Sequence, residues 1–261
     1  QVLSRFSSLL REPNGISIVS GPTGSGKTTT LYAALGQQDS LRKNIMTIED
    51  PIEYQLPNIG QIQVKPKIGL TFAAGLRHIL RQDPDIVLVG ETRDIETAEI
   101  ALRASLTGHL VFTTLHTNDA PGSVLRLVDM GVEPYLLASC LRGVLAQRLI
   151  RRLCEKCKIA VTPSDEDLKA LVDDASRIDR KKIFAPVGCP MCLEGYSGRL
   201  GLFELLVVDR TMQELIREGH TDGNALRRCG EANGMTTLRT DGISKANDGN
   251  TSVLEVINVT G

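Results

Sequence analysis

The chain has 261 residues, 41% apolar and 23% charged, enough to bury one large core or two modest ones, which excludes a disordered chain. Its 30 basic and 31 acidic side chains cancel to a formal charge of −1, removing the broad positive field that sequence-independent nucleic-acid binding depends on. Aromatics are only 3%, with no Trp, so a core of Ile, Leu, Val, Ala and Met is expected, which suits a parallel sheet under helices and disfavours an all-β sandwich. No apolar run approaches the roughly 20 residues of a membrane helix, and the opening QVLSRFSSLLREPNG lacks both the apolar core and the cleavage site of a signal peptide. A soluble cytosolic chain is expected, without membrane insertion. The start at Gln1 rather than Met, with a strand already at Gly15, is expected of a piece of a longer protein.

In chain order, Gly15–Ser20 (GISIVS) reads as a buried strand ending in a Gly-rich turn, and residues 27–38 follow as a helix. Further buried strands are expected at 45–48, 85–89 and Leu110–Leu115, with helices between them at 71–82 and Ile95–Leu106, where Ala98, Ala101, Leu102 and Leu106 share a face. This alternation predicts an α/β core with a mostly parallel sheet and helices on both faces. A small antiparallel element is expected at 60–64 (GQIQV). From Glu133 the pattern changes: 134–152 reads as a long helix ending in Arg148, Arg151 and Arg152, with no further parallel strand after it. Residues 164–174 carry a capping box, Ser164 and Asp167 before Leu168 and Leu171, and predict a helical insertion between two cysteine pairs. The tail reads as strand near 201–208 and short helices near 212–217, 225–232 and 252–259. The expected division is a core at 1–152, a tetracysteine element at 153–198 and a small, mainly helical lobe at 199–261. The run 179–182 (DRKK) reads as a solvated loop.

Gly21-Pro22-Thr23-Gly24-Ser25-Gly26-Lys27-Thr28 fits G-x-x-x-x-G-K-[ST] between a strand and a helix, and Thr29 extends it. Its glycines let successive N–H groups face one concavity, the helix N-terminus adds partial positive charge, Lys27 is placed for the β and γ phosphates, and Thr28 for Mg²⁺. In a parallel sheet ligands sit beyond the carboxyl ends of the strands, where Glu49 to Glu53, Gly90-Glu91 and His116 also fall. Glu91 follows a strand in the layout of a metal-contacting acidic residue, with Gly90 where an aspartate is common. Glu53 is the first choice for polarising the attacking water and Glu49 the second. His109 and His116 bracket one strand and stand about 23 Å apart, so only His116 suits a γ-phosphate contact; His109 reads as structural. Arg77, Arg81 and Arg93 are candidate phosphate or neighbouring-domain contacts, with surface ion pairing the alternative. His78 and His220 carry no functional assignment. Cys154-x-x-Cys157 and Cys189-x-x-Cys192 have the spacing of four thiolates on one Zn²⁺, while Cys140 and Cys229 read as buried small hydrophobes.

GPTGSGKTTTLYAAL, TIEDPIEY, LRHILRQDPDIVLVGETRD, TGHLVFTTLHTNDA and the two cysteine pairs, in this order, resemble the motor ATPases of type II secretion and type IV pilus assembly. The resemblance implies a RecA-like ATPase domain working as a homo-hexamer on the cytoplasmic face of the inner membrane against a membrane platform protein, with ATP, Mg²⁺ and Zn²⁺. It matches positions 21–28 to Walker A, 47–54 to the Asp box with Glu53 as water-activating glutamate, 85–91 to an atypical Walker B with the same glycine and Glu91 linked to Mg²⁺, and 109–116 to the His box. It further implies an N-terminal domain that supplies arginines, outside this chain. The tetracysteine element favours assembly or secretion over retraction. The rival readings are a pilus retraction motor, a DNA-translocating RecA-like ATPase, and a nucleotide-gated scaffold without turnover; the neutral charge and few aromatics argue against nucleic acid.

Overall fold

The computed structural model describes residues 2–171, 176–179, 183–219 and 222–261. His220, the end of the helix expected at 164–174 and most of the 179–182 run lie outside them. In chain order the elements are α1 (Val2–Leu9), β1 (Gly15–Ser20), α2 (Lys27–Leu35), β2 (Ile45–Glu49), β3 (Gly60–Gln63), α3 (Phe72–Ile79), β4 (Ile86–Val89), α4 (Ile95–Leu106), β5 (Leu110–Leu115), α5 (Ala120–Asp129), α6 (Pro134–Cys140), β6 (Leu141–Leu153), β7 (Ile159–Ala160), α7 (Asp165–Ala170), β8 (Phe184–Ala185), β9 (Tyr196–Val207), α8 (Arg210–Arg217), α9 (Gly223–Ala232), α10 (Leu238–Asn247) and α11 (Val253–Thr260).

Seven strands form one sheet in the order β3-β2-β4-β5-β1-β6-β9, and β7 pairs with β8 in a second. The first six are parallel to their neighbours. β9 runs opposite to β6, since Val208 N donates to the start of β6 at Arg142 O and Cys154 N, just past its end, donates to Gly195 O. Strands β1, β4 and β5 are buried throughout, and their aliphatic run with Phe112 makes the core that the composition predicted. Helix starts follow local chemistry: Asp94 accepts from Thr97 N (2.7 Å), Asp119 from Gly122 N (2.7 Å) and Ser252 from Glu255 N (3.1 Å), each such cap contributing about 1 kcal/mol.

Two expectations are corrected. Residues 60–63 form no antiparallel element: β3 is a parallel edge strand in register with β2, Met46 beside Gly60 through Glu49 beside Gln63, because the intervening segment 50–59 carries the chain back to the start of the sheet. Residues 134–152 form no long helix either. α6 ends at Cys140 and β6 runs parallel to β1 between β1 and β9, so a further parallel strand does follow. Leu141, Val144, Leu145 and Ala146 are buried without alternation, and an unbroken apolar run does not distinguish a strand buried on both faces from a buried helix. Gly143 marks the difference: a Cβ there would lie 3.0 Å from Leu206 O on the adjacent strand. Helices α1, α5 and α10 escaped the sequence reading.

The chain divides into two compact units that interleave in sequence. The first holds 1–23, 27–146 and 205–235, and the second holds 24–26, 147–204 and 236–261. Within the first lie β1 to β5, the start of β6 and helices α1 to α6, α8 and α9. Within the second, Leu171, Ile178 and Ile183 of the excursion between the cysteine pairs pack with Ile243 and Ala246 of α10 and Val253 and Val256 of α11. Ser164 caps α7, with Asp167 N donating to Ser164 Oγ at 3.0 Å and that hydroxyl donating to Asp167 Oδ2 at 2.8 Å, which is the hydroxyl half of the expected capping box.

Candidate nucleotide site and metal centre

The loop after β1 turns on three glycines with positive φ, Gly21 (147°), Gly24 (79°) and Gly26 (89°), a backbone region that side chains with a Cβ rarely adopt. Gln147 Nε2 donates to Ser25 O at 2.7 Å, and a Cβ on Gly26 would lie 2.7 Å from that same nitrogen, so a side chain there would push the Gln147 amide off the loop. The Ser25 hydroxyl is buried without a hydrogen-bond partner among the described residues. Lys27 opens α2 and bends back to donate to Gly21 O (2.8 Å) and Pro22 O (3.0 Å). Burial holds its ammonium below the usual range, against the pull of the Glu91 carboxylate. Thr28 and Thr29 share the first turn of α2, half-buried and exposed respectively.

Glu91 stands just beyond β4, its side chain 18% exposed, between an imidazole and a guanidinium: His116 Nε2 lies 3.0 Å from Oε1, and Arg93 donates to Oε2 at 2.6 and 2.7 Å. Lys27, Glu91, Arg93 and His116 thus share the carboxyl edge of the sheet, with the sequence-predicted β4 and β5 ends adjacent. Beneath them Thr114 Oγ1 donates to Gly90 O (2.6 Å), Thr92 N donates to Thr114 O (3.0 Å), and the Thr92 and Thr113 hydroxyls meet at 2.7 Å. These threonines fix the turn that presents Glu91, and the pair of hydroxyls in the apolar run LVFTTL was the signal for them. Gly90 suits its position sterically: a Cβ there would lie 3.1 Å from Ile48 O and 3.2 Å from Glu49 Cα, both backbone atoms. Gly90→Ala is therefore expected to cost about 1–3 kcal/mol, read as a lowered Tm; an unchanged Tm would mean that β2 yields freely.

The remaining candidates sort by environment. Glu53 is exposed on the segment after β2, which begins with a cis Asp50–Pro51 bond. Glu49 is 3% exposed and taken up by donors from Tyr32, Thr47 and Gln61. Arg77 pairs with Glu96 at 2.6 Å across α3 and α4, a half-exposed ion pair of the kind worth at most about 1 kcal/mol, and Arg81 is exposed just past α3. His109 Nδ1 lies 2.9 Å from Ala104 O at the end of α4, a structural contact at the opposite end of β5 from His116.

Cys154, Cys157, Cys189 and Cys192 bring their four sulfurs within 4.8 Å of one another, and none is in a disulfide. Three of the Sγ–Sγ separations are 3.6, 3.7 and 4.0 Å, close to the roughly 3.8 Å edge of a tetrahedron with 2.3 Å metal–sulfur bonds. Each pair is a tight turn, with Cys157 N donating to Cys154 O and Cys192 N to Cys189 O. At Cys192 burial pushes the thiol up, but the Cys189 backbone and the neighbouring thiols outweigh it and leave the pKa at about 7, whereas burial and the other thiols push Cys189 up to about 11, as in a set of thiols sharing charge at close range. The set therefore fits a metal by geometry and by donor chemistry.

The family model for type II/IV secretion system proteins matches residues 1–258. The chain belongs to that family. Among its relatives within the type II/IV secretion system family, the type II secretion system protein HxcR of Pseudomonas aeruginosa is 52% identical over 260 residues, which is 99% of this chain and 51% of the relative. The type IV pilus assembly ATPase PilB of Thermus thermophilus is 48% identical over 257 residues, 98% of this chain and 29% of the relative. The chain thus spans about half, or less, of the length of these curated relatives. Among solved structures, the pilus retraction motor PilT with bound ADP superposes with a TM-score of 0.73 at 30% identity, covering 98% of this chain and 64% of that one.

Proposed function

We propose that this family member carries the ATP-hydrolysing site of a hexameric motor that powers type II secretion or type IV pilus assembly. The observation that carries the reading is the meeting of Lys27 in a glycine-turned loop with Glu91 and His116 at one carboxyl edge of a parallel sheet. In it, Lys27 exchanges the Gly21 and Pro22 carbonyls for the β and γ phosphates of ATP, and the loop N–H groups with the α2 N-terminus hold the phosphate oxygens. Thr28 and Glu91, hard oxygen donors, suit Mg²⁺, which when bound neutralises charge on the phosphates. Glu53 takes the proton of the attacking water, and His116 contacts the γ-phosphate while Glu91 orients it. Arg93, Arg77 and Arg81 serve as contacts to phosphate or to a neighbouring domain, and a neighbouring subunit completes the site.

The cysteine cluster takes Zn²⁺ as a structural ion, because four thiolates leave no open position for water. Identities of 52% and 48% to secretion and assembly proteins, against 30% to the retraction motor, support the first two roles over retraction. No helix among the described residues is long and apolar enough to cross a membrane, and the motor is proposed to work at the cytoplasmic face of the inner membrane through a platform protein. Phosphate release by the full-length protein tests the reading. Lys27→Ala is expected to weaken ATP binding at least about tenfold and abolish turnover, since a charge at the β and γ phosphates is lost. A native protein that binds ATP without releasing phosphate would favour the nucleotide-gated scaffold instead.

A further inference from the structure

A buried polar network, none of it in the nucleotide loop, converges beneath the segment that carries Glu53. The Glu49 carboxylate accepts hydrogen bonds from Tyr32 Oη, Thr47 Oγ1 (2.5 Å) and Gln61 Nε2 (3.1 Å). The convergence follows from register. β2 and β3 are parallel with Thr47 beside Gln61, and the two-residue period of a strand sets Thr47 and Glu49 on one face. Gln61 also reaches outward from this anchor: its Oε1 accepts from Leu56 N at 2.7 Å, while Nε2 lies 3.2 Å from Tyr54 O and 3.3 Å from Tyr32 Oη. Only one orientation of the amide meets both demands, oxygen toward the Leu56 N–H and nitrogen toward the carboxylate and the carbonyl. Tyr32 adds another tie. Its ring meets that of Tyr54, the residue after Glu53, edge-on with centroids 4.7 Å apart. Burial, reinforced by Glu49, pushes the Tyr32 phenol well above its usual range, so it remains a donor to the carboxylate at neutral pH.

We propose that Gln61 is a positioning residue for hydrolysis: anchored on the buried Glu49 carboxylate, its amide clamps residues 54–56 and thereby holds the adjacent Glu53 in the arrangement that suits proton abstraction. The inference rests on the reading of Glu53 as the base. The Gln61 amide spends its hydrogen bonds on Glu49, Tyr32, Tyr54 and Leu56, none of them in the nucleotide loop, so it acts through Glu53 and is no catalytic residue itself. The clamp links two parts of the site that the sequence keeps apart: α2, which starts at Lys27, supplies Tyr32, and the β2–β3 connection supplies Glu53. Rigidity of this kind matters because a displacement of about 1 Å at a reacting group costs on the order of a hundredfold in rate.

The test is steady-state and single-turnover ATP hydrolysis by the full-length protein carrying Gln61→Leu, Glu53→Gln, both, or Tyr32→Phe. Gln61 is half-buried on an edge strand, so leucine is accommodated there without loss of the fold. Gln61→Leu is expected to lower kcat at least about tenfold with KM for ATP changed less than about twofold, and to speed amide exchange at Leu56. Tyr32→Phe is expected to lower kcat in the same sense. On the Glu53→Gln background Gln61→Leu should change the residual rate less than about twofold, because the group it positions has lost its function. An unaltered kcat in Gln61→Leu beside an inactive Glu53→Gln overturns the positioning role alone. Equal effects of Gln61→Leu on both backgrounds, or a change in KM and Tm without one in kcat, overturn it too. Near-normal turnover in Glu53→Gln overturns the base assignment and this inference with it.

Discussion

Glu53→Gln in the full-length protein is expected to lose about two to four orders of magnitude in ATP turnover while keeping its affinity for ATP within a few fold. The amide preserves size and shape but accepts no proton, and the phosphates are held by a loop that Glu53 does not belong to. The contrast with Glu49 sharpens the expectation. Glu49, four residues earlier at the end of β2, is 3% exposed and saturated by Tyr32, Thr47 and Gln61. Glu49→Gln turns an NH₂ group toward donors in a buried site, which is expected to cost about 1–3 kcal/mol and to lower Tm. Turnover near normal in Glu53→Gln, measured as phosphate release under single-turnover conditions, would remove Glu53 from the mechanism.

The native chain is expected to hold about one zinc, and Cys157→Ser to lose it together with the order of residues 154–192. Structural zinc contributes on the order of 10 kcal/mol to the folding of its own module, more than any cap or surface ion pair here. The reach of the damage follows from the packing. Leu171, Ile178 and Ile183 lie between the two cysteine pairs and pack on Ile243, Ala246, Val253 and Val256, so loosening is expected to spread to α10 and α11, readable as faster amide exchange there. Nucleotide affinity is the decisive companion measurement. Gln147 of the same unit holds Ser25 O, and a metal-free variant that keeps its ATP affinity would show that this contact survives loss of the clip. A native protein without zinc, or a variant whose nucleotide binding fails with the metal, would show that the element is no separable module.

Much of this was legible in the sequence because it depends on short-range chemistry. Gly21, Gly24 and Gly26 need positive φ, Asp94 and Asp119 cap the helices that follow them, and two Cys-x-x-Cys turns present paired thiolates; each is a statement about residues a few positions apart. Strands β1 and β5 and helix α4 end where the patterns said, since turn and cap residues bound them. What only the tertiary structure decided is which distant segments lie side by side. The unbroken apolar run in β6 has no local mark of a strand, and its place between β1 and β9 makes it one; GQIQV is too short to choose a partner, and β2 takes it as a parallel neighbour. The same register set Gln61 beside Thr47 and over Glu49, turning an expected water-activating candidate into a buried anchor. Pairing of this kind is chosen by the whole core at once, through backbone hydrogen bonds and burial that no local pattern encodes.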